Sequence, residues 1–240
     1  MIFVTSWDDG HPLDERIADM LERVGLKGTF FLPIRNREGR PVLSPDAMRR
    51  LDGRFEIGSH TLDHAYLTRL PQADCQHQIV DGKDCLEQIV GHRVEGFCYP
   101  GGKLNARVKR AVSQAGFAYA RTIESLRMDC GEDRYAVPTT LQFYPHRRSV
   151  ILRNFLRHTR YGERFPAMRL AISGSGCWDS LIRLLEASAT SERVIHIWGH
   201  SWEIEEQGLW SQLQTFLAAV AAMQPQACSV SDVMCKSEKV

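Results

Sequence analysis

No stretch of the 240 residues approaches the roughly 18 consecutive apolar positions that a membrane-spanning helix needs. No C-x-x-C pair occurs either. The seven cysteines (Cys75, Cys85, Cys98, Cys130, Cys177, Cys228 and Cys235) are odd in number and scattered. That pattern speaks against a disulfide framework and a zinc knuckle, and it fits a reducing compartment. Net charge is nearly absent: Lys+Arg 30 against Asp+Glu 29 leaves no overall field to draw the molecule onto nucleic acid. Repeats and low-complexity tracts are missing. There is also no leader pattern, because an apolar strand already begins at Ile2, so the expected location is the cytoplasm.

What is present is a recurring strand-then-helix pattern. Ile2-Phe3-Val4 is a β-prone run, and 28–33, 55–60, 96–100, 117–122 and 193–200 read as further strands. Ile17, Met20, Leu21 and Val24 make one stripe of a helix that stops at Gly25. Ser44-Pro45 opens a second helix with a cap and a proline at its first position. Helices are also expected over 72–90, over 178–187, and where Leu104, Val108, Ala111, Val112 and Ala115 or Leu209, Leu213, Phe216, Leu217 and Val220 share a face. The alternation predicts a mostly parallel, helix-covered α/β sheet in a single domain, with 123–175 as its least regular segment.

In parallel α/β folds, reactive groups gather at the carboxyl ends of strands, where loops are free to vary. Those ends here carry Asp8-Asp9 in "SWDDG", His60 with His64 four residues on, "YPGG", Arg121 and His200. An isolated "DDG" is ordinarily a turn and an isolated H-x-x-x-H is common. Together, at neighbouring strand ends, and with a helix starting at His60 to bring His64 one turn on to the same side, they define two imidazoles and a carboxylate around one point, the layout of a catalytic metal site with open positions. Such a site polarises an acyl oxygen and acidifies water. The doubled carboxylate then divides its labour: Asp9 as ligand, Asp8 as the base that takes the water's proton.

In this order and spacing, "TSWDDG", "SHTLDH", "YPGG" and "VIHIWGH" resemble the motifs of the polysaccharide deacetylases, the NodB-homology or carbohydrate esterase four family. The likeness runs from residue 2 to about 203, with little contribution from 123–190. It implies a distorted parallel (β/α) barrel of about seven strands and metal-dependent removal of N-acetyl groups from amino sugars. By that likeness Asp8 is the catalytic base, and Asp9, His60 and His64 hold a divalent metal, usually zinc. The Gly101 N–H faces the oxyanion, and a late histidine is the general acid. His200, at the strand end, fits that last role better than the deeper His196.

The chain departs from the family pattern in three ways. Cys98 stands where an arginine normally orients the base, and Arg121 on the next strand is the expected substitute. Gly101 replaces a bulky aromatic and is expected to open the site floor. No fourth motif is visible, which leaves Asp129 and Asp133 as candidate partners of His200.

Trp7, His11, Tyr99 and Trp202 flank these residues and are expected to contact a sugar. Between 146 and 170, arginines stand against the single acid Glu163. A solvated basic helix or a subunit contact accounts for this stretch, and a diphosphate clamp is the sharper alternative. The expected substrate is thus an N-acetylated nucleotide sugar, glycolipid or surface-polysaccharide precursor such as that of a lipopolysaccharide O-antigen, reached with peripheral contact at the inner membrane face. The remaining alternatives are a formamide or small-amide hydrolase, a non-haem iron protein and a catalytically silent sugar binder.

Overall fold

The computed structural model describes residues 1–174 and 177–237. β1 (Ile2–Asp8) is buried from Phe3 to its end, and α1 (Asp14–Arg23) packs Ile17, Ala18, Met20 and Leu21 inward. β2 (Thr29–Leu32) leads to α2 (Pro45–Asp52), whose Ser44 cap accepts the Ala47 N–H at 3.3 Å. β3 (Glu56–Ser59), α3 (Gln72–Val90) and β4 (Gly96–Cys98) follow, then α4 (Ala106–Gln114), capped by the Asn105 side chain, and β5 (Tyr119–Arg121). The second half contains β6 (Leu141–Gln142), α5 (Arg148–Arg157), α6 (Tyr161–Ser173), α7 (Cys177–Glu186), β7 (Val194–Gly199) and α8 (Ser201–Glu206). It ends with α9 (Trp210–Ala222), β8 (Gln226–Cys228) and α10 (Val230–Ser237).

The strands form one parallel sheet in the order β5-β4-β3-β2-β1-β7-β6, and β8 pairs with the first half of β1. β1 lies at its centre, against β2 through Ser6–Asp8 and against β7 along Ile2–Trp7. All strand ends that carry chemistry therefore point the same way. The sheet curls, and one extended segment spans its open side. Val137 exchanges backbone hydrogen bonds with Ala120 and Thr122, while Thr140 bonds to His196 on β7. This is the distorted (β/α) barrel expected from the sequence, with seven strands on the curled path.

The segment expected to be irregular, 123–175, instead contains β6, α5 and α6. Two residues of β6 are too few to set up an alternation. α6 carries Gly162 and Pro166 and buries an arginine among its inward residues, so no clean apolar stripe marks it.

Candidate functional site

The candidate metal-binding cluster grows from three left-handed backbone positions. Asp9, Thr61 and His64 have φ of 78°, 71° and 60°, conformations that non-glycine residues hold only where the surroundings enforce them. The stretch after β3 is a turn and not the helix start that would bring His60 and His64 together by periodicity. It is pinned from two sides. Leu62 N–H donates to the Gln78 carbonyl at 2.9 Å, and Ala65 N–H donates to Thr61 Oγ1 at 3.1 Å. Gly82 makes the first contact possible, because a Cβ there would fall 2.6 Å from the Leu62 nitrogen.

Within this frame His60 Nε2 stands 3.5 Å and His64 Nε2 3.2 Å from Asp9 Oδ1. Two bonds of about 2.0–2.1 Å at a tetrahedral angle span about 3.3 Å, so these edges suit a zinc-sized ion. Asp9 Oδ1 is buried and accepts no hydrogen bond, an orphan that a cation would satisfy. Two of the three outer faces are already held: His60 Nδ1 donates to the Cys98 carbonyl at 2.8 Å, which leaves Nε2 as the free lone pair, and the Trp202 indole N–H donates to Asp9 Oδ2 at 2.9 Å. His64 Nδ1 is buried without a hydrogen bond, with Glu38 Oε1 3.5 Å away. Burial would raise the Asp9 carboxyl, but His60, His200 and His64 around it outweigh burial and hold it well below the usual carboxylate range. A second grouping, Asp8 with His60 and Cys98, fits a metal less well, because the Asp8 carboxylate is already paired with the Arg121 guanidinium.

Asp8 is held differently. Its Oδ1 accepts a hydrogen bond from the Arg121 guanidinium, and both side chains are buried. Arg121 pairs directly with Cys98 across the β4–β5 ladder, so the cation arrives on the same face from one strand over. The rings of Phe31 and Trp198 lie 5.2 and 5.1 Å from its guanidinium carbon.

His200 Nε2 lies 3.9 Å from Asp9 Oδ2, and its Nδ1 is 2.6 Å from Glu203 Oε2. Glu203 in turn accepts from Gln142 Nε2 at 2.7 Å, and Gln142 Oε1 is 2.9 Å from His146 Nε2. Burial would lower the His200 pKa, but Glu203 and Asp9 raise it above the ordinary imidazole value. The expected partners prove to be occupied elsewhere: Asp129 binds Arg127, and Asp133 binds Lys109. Glu203 sits one turn from His200 on α8, so an i,i+3 search from His200 is the signal that finds it. His196 is a packed residue. It shares a 2.8 Å hydrogen bond with Ser6 Oγ, and burial followed by Arg121 pushes its pKa down to about 3.

Two expected sugar contacts are overturned. Trp7 and Tyr99 are both 0% exposed, Trp7 packed against Gly199 and the Tyr99 hydroxyl donating to the Tyr135 carbonyl. Neither reaches a substrate. Nor is the floor open at Gly101. Its φ is +58°, and a Cβ there would lie 2.7 Å from Cε1 of Tyr66, whose ring occupies that space. Tyr66, which no motif marks, is half-buried with its ring 6.0 Å from the His64 ring. Trp202 does lie at the site, 5.2 Å from the His200 ring and covered on one face by Arg40 at 3.4 Å. His11 is half-buried, with Nδ1 accepting the Leu13 N–H at 3.3 Å. Ser201 donates to the buried Asp14 carboxyl, which burial, then Asp9, holds well above the ordinary range, tying the start of α8 to that of α1.

A curled parallel α/β barrel with two imidazoles and a carboxylate converging at its carboxyl end defines a class, and the comparisons agree. Through residues 2–120, which match the model described as polysaccharide deacetylase, the chain belongs to that family. It is 28% identical over 118 residues to a peptidoglycan-N-acetylglucosamine deacetylase of Bacillus cereus, a match covering 48% of this chain and 54% of the relative. The chain thus spans about half the length of that curated relative. The fold matches the chitin deacetylase from the fungal pathogen Colletotrichum lindemuthianum with a TM-score of 0.63 at 17% identity, over 97% of this chain and 86% of that one. A family 4 carbohydrate esterase from Streptomyces lividans matches with a TM-score of 0.55 at 14% identity, over 92% and 86%.

Proposed function

We propose that the chain is a metal-dependent hydrolase that removes the N-acetyl group of an amino sugar carried on a nucleotide sugar, glycolipid or surface-polysaccharide precursor. One observation carries the reading: two adjacent carboxylates are held by different partners, Asp8 by Arg121 and Asp9 by Trp202 beside two imidazoles. Asp9, His60 and His64 would hold the divalent ion, zinc in the first instance, which supplies polarisation of the acyl oxygen and a more acidic water.

The chain's own groups do the rest. Asp8, oriented by Arg121, takes the proton from the attacking water. The Gly101 N–H donates to the acyl oxygen as it gains charge. His200 gives its proton to the nitrogen as the C–N bond breaks, so acetate and the free amine leave together. Glu203 fixes the imidazole and favours its protonated form before that transfer. Tyr66 and Trp202, with His11 beside them, wall the space for the sugar ring. A non-haem iron centre would leave the Asp8–Arg121 pair without a task, and a silent binder would not need an acid-tuned His200.

The test is acetate release from a panel of N-acetylated nucleotide sugars and glycolipid precursors, with and without chelator. The expected result is chelator-sensitive release that returns with added zinc. Release insensitive to complete metal removal, or none from any N-acetylated sugar, would overturn the reading. An intracellular precursor as substrate carries with it the cytoplasmic setting expected from the sequence, and no helix among the described residues is long and apolar enough to cross a membrane.

A further inference from the structure

The α5–α6 hairpin is built unlike the rest of the surface. Of the large hydrophobic side chains exposed among the described residues, four of five lie here: Leu152 (47% exposed), Leu156 (61%), Tyr161 (49%) and Phe165 (52%). Leu152 and Leu156 are one turn apart on α5, as are Tyr161 and Phe165 on α6, and the two helices pack against each other. α5 meanwhile turns Ile151 and Phe155 inward, so the outer pair is not spare core. A contiguous patch of this kind marks an interaction surface.

The patch is rigid. Arg164, fully buried, donates to the backbone carbonyls of Asn154, Phe155 and His158 at the end of α5 and to Ser125 in the body of the domain. It is also strongly cationic. Glu163, the one acid between 146 and 170, is taken up by Arg127 and Arg160. Arg147, Arg153, Arg157 and Arg169 are exposed and meet no carboxylate among the described residues. Leucine and aromatic side chains ringed by unpaired arginines match the make-up of an interfacial element that lies in the headgroup region of an anionic membrane. A second copy docking through the same patch would bring arginines against arginines. A nucleic acid would leave the apolar residues without a partner.

We propose that the α5–α6 hairpin docks this protein on an anionic phospholipid surface, with Leu152, Leu156, Tyr161 and Phe165 inserted at headgroup depth and Arg147, Arg153, Arg157 and Arg169 against the phosphates. Docking itself does not depend on the catalytic reading. Its consequence does: Arg153 and Arg157 also line a cavity of about 190 Å³ with Gln142, His146 and Trp198, so the membrane face adjoins the groups behind His200.

Co-sedimentation of the full chain with sucrose-loaded vesicles tests this. The expected result is binding to phosphatidylcholine–phosphatidylglycerol vesicles, weakened by salt, and little binding to phosphatidylcholine alone. Leu156→Glu with Phe165→Glu should abolish it. Each of Arg153→Gln and Arg157→Gln should weaken it about fivefold. These positions are exposed, so an unchanged circular dichroism melt verifies that each variant is folded. No binding to anionic vesicles, binding indifferent to the Leu156/Phe165 pair, or a dimer by ultracentrifugation that the same pair dissolves while vesicle binding stays absent would overturn the proposal.

Discussion

The two halves of the molecule contribute different things to one site. Residues before 120 supply the proposed metal ligands and base, Asp8, Asp9, His60 and His64. Residues after 120 supply the side chains that hold or tune them, Arg121, Gln142, Trp202 and Glu203, together with the proposed acid His200. The family match covers the first half, 2–120. Converging ligands constrain the spacing along one strand end and its loop. An orienting partner needs only to arrive at the right point in space. A guanidinium can come from β4 or from β5, since positions 98 and 121 are opposite each other in the ladder.

Substitutions can break this comparison, beginning with the largest expected effect. Asp8→Asn should lower acetate release by about 10²–10⁴-fold, the range of a lost general base, while metal content measured on the same protein stays at the parent level. Arg121→Leu strands a buried carboxylate. It should cost about 3–5 kcal/mol in chemical unfolding and remove most activity without changing the Asp9–His60–His64 donor set. Trp202→Phe removes the hydrogen bond to Asp9 Oδ2, and competition against a zinc chelator should show about 10–100-fold weaker metal binding.

Glu203→Gln sharpens the comparison. Burial lowers the His200 pKa, but Glu203 and Asp9 hold it above its ordinary value. The acid works in its protonated form, so the rate should fall as pH rises through that raised value. Without the Glu203 charge, the alkaline limb of the pH–rate profile should move to lower pH, with the acid limb little changed. An alkaline limb that stays in place would detach Glu203 from the role assigned to it.

What could be read from the sequence follows the same division. The β1, β2 and β7 strands are visible as apolar runs, and α3 matches its expected span because nineteen residues leave room for periodicity to register. The candidate trio Asp9, His60 and His64, which the fold brings together, stands out because its members sit at fixed offsets within two short motifs. Arg121 could be found by asking which cation ends a neighbouring strand. Glu203, three residues after His200, is within reach of an i,i+3 search, whereas only the fold shows that Asp129 and Asp133 face Arg127 and Lys109 instead. Tyr66 illustrates the same limit. A ring seven residues after β3 fills the space left by Gly101, and only the fold brings them together. Trp7 and Tyr99 show the converse: each is next to a site-facing residue in the chain, and its own side chain turns the other way, into the core.

The central claim is that Asp8 and Asp9, neighbours in sequence, do different work. Zinc titration by calorimetry on metal-stripped protein tests it directly, run on the parent chain, Asp8→Asn and Asp9→Asn. One site per chain in the parent and in Asp8→Asn, with none in Asp9→Asn, is the predicted result. Equal loss of zinc in both variants, or its retention in Asp9→Asn, would contradict it.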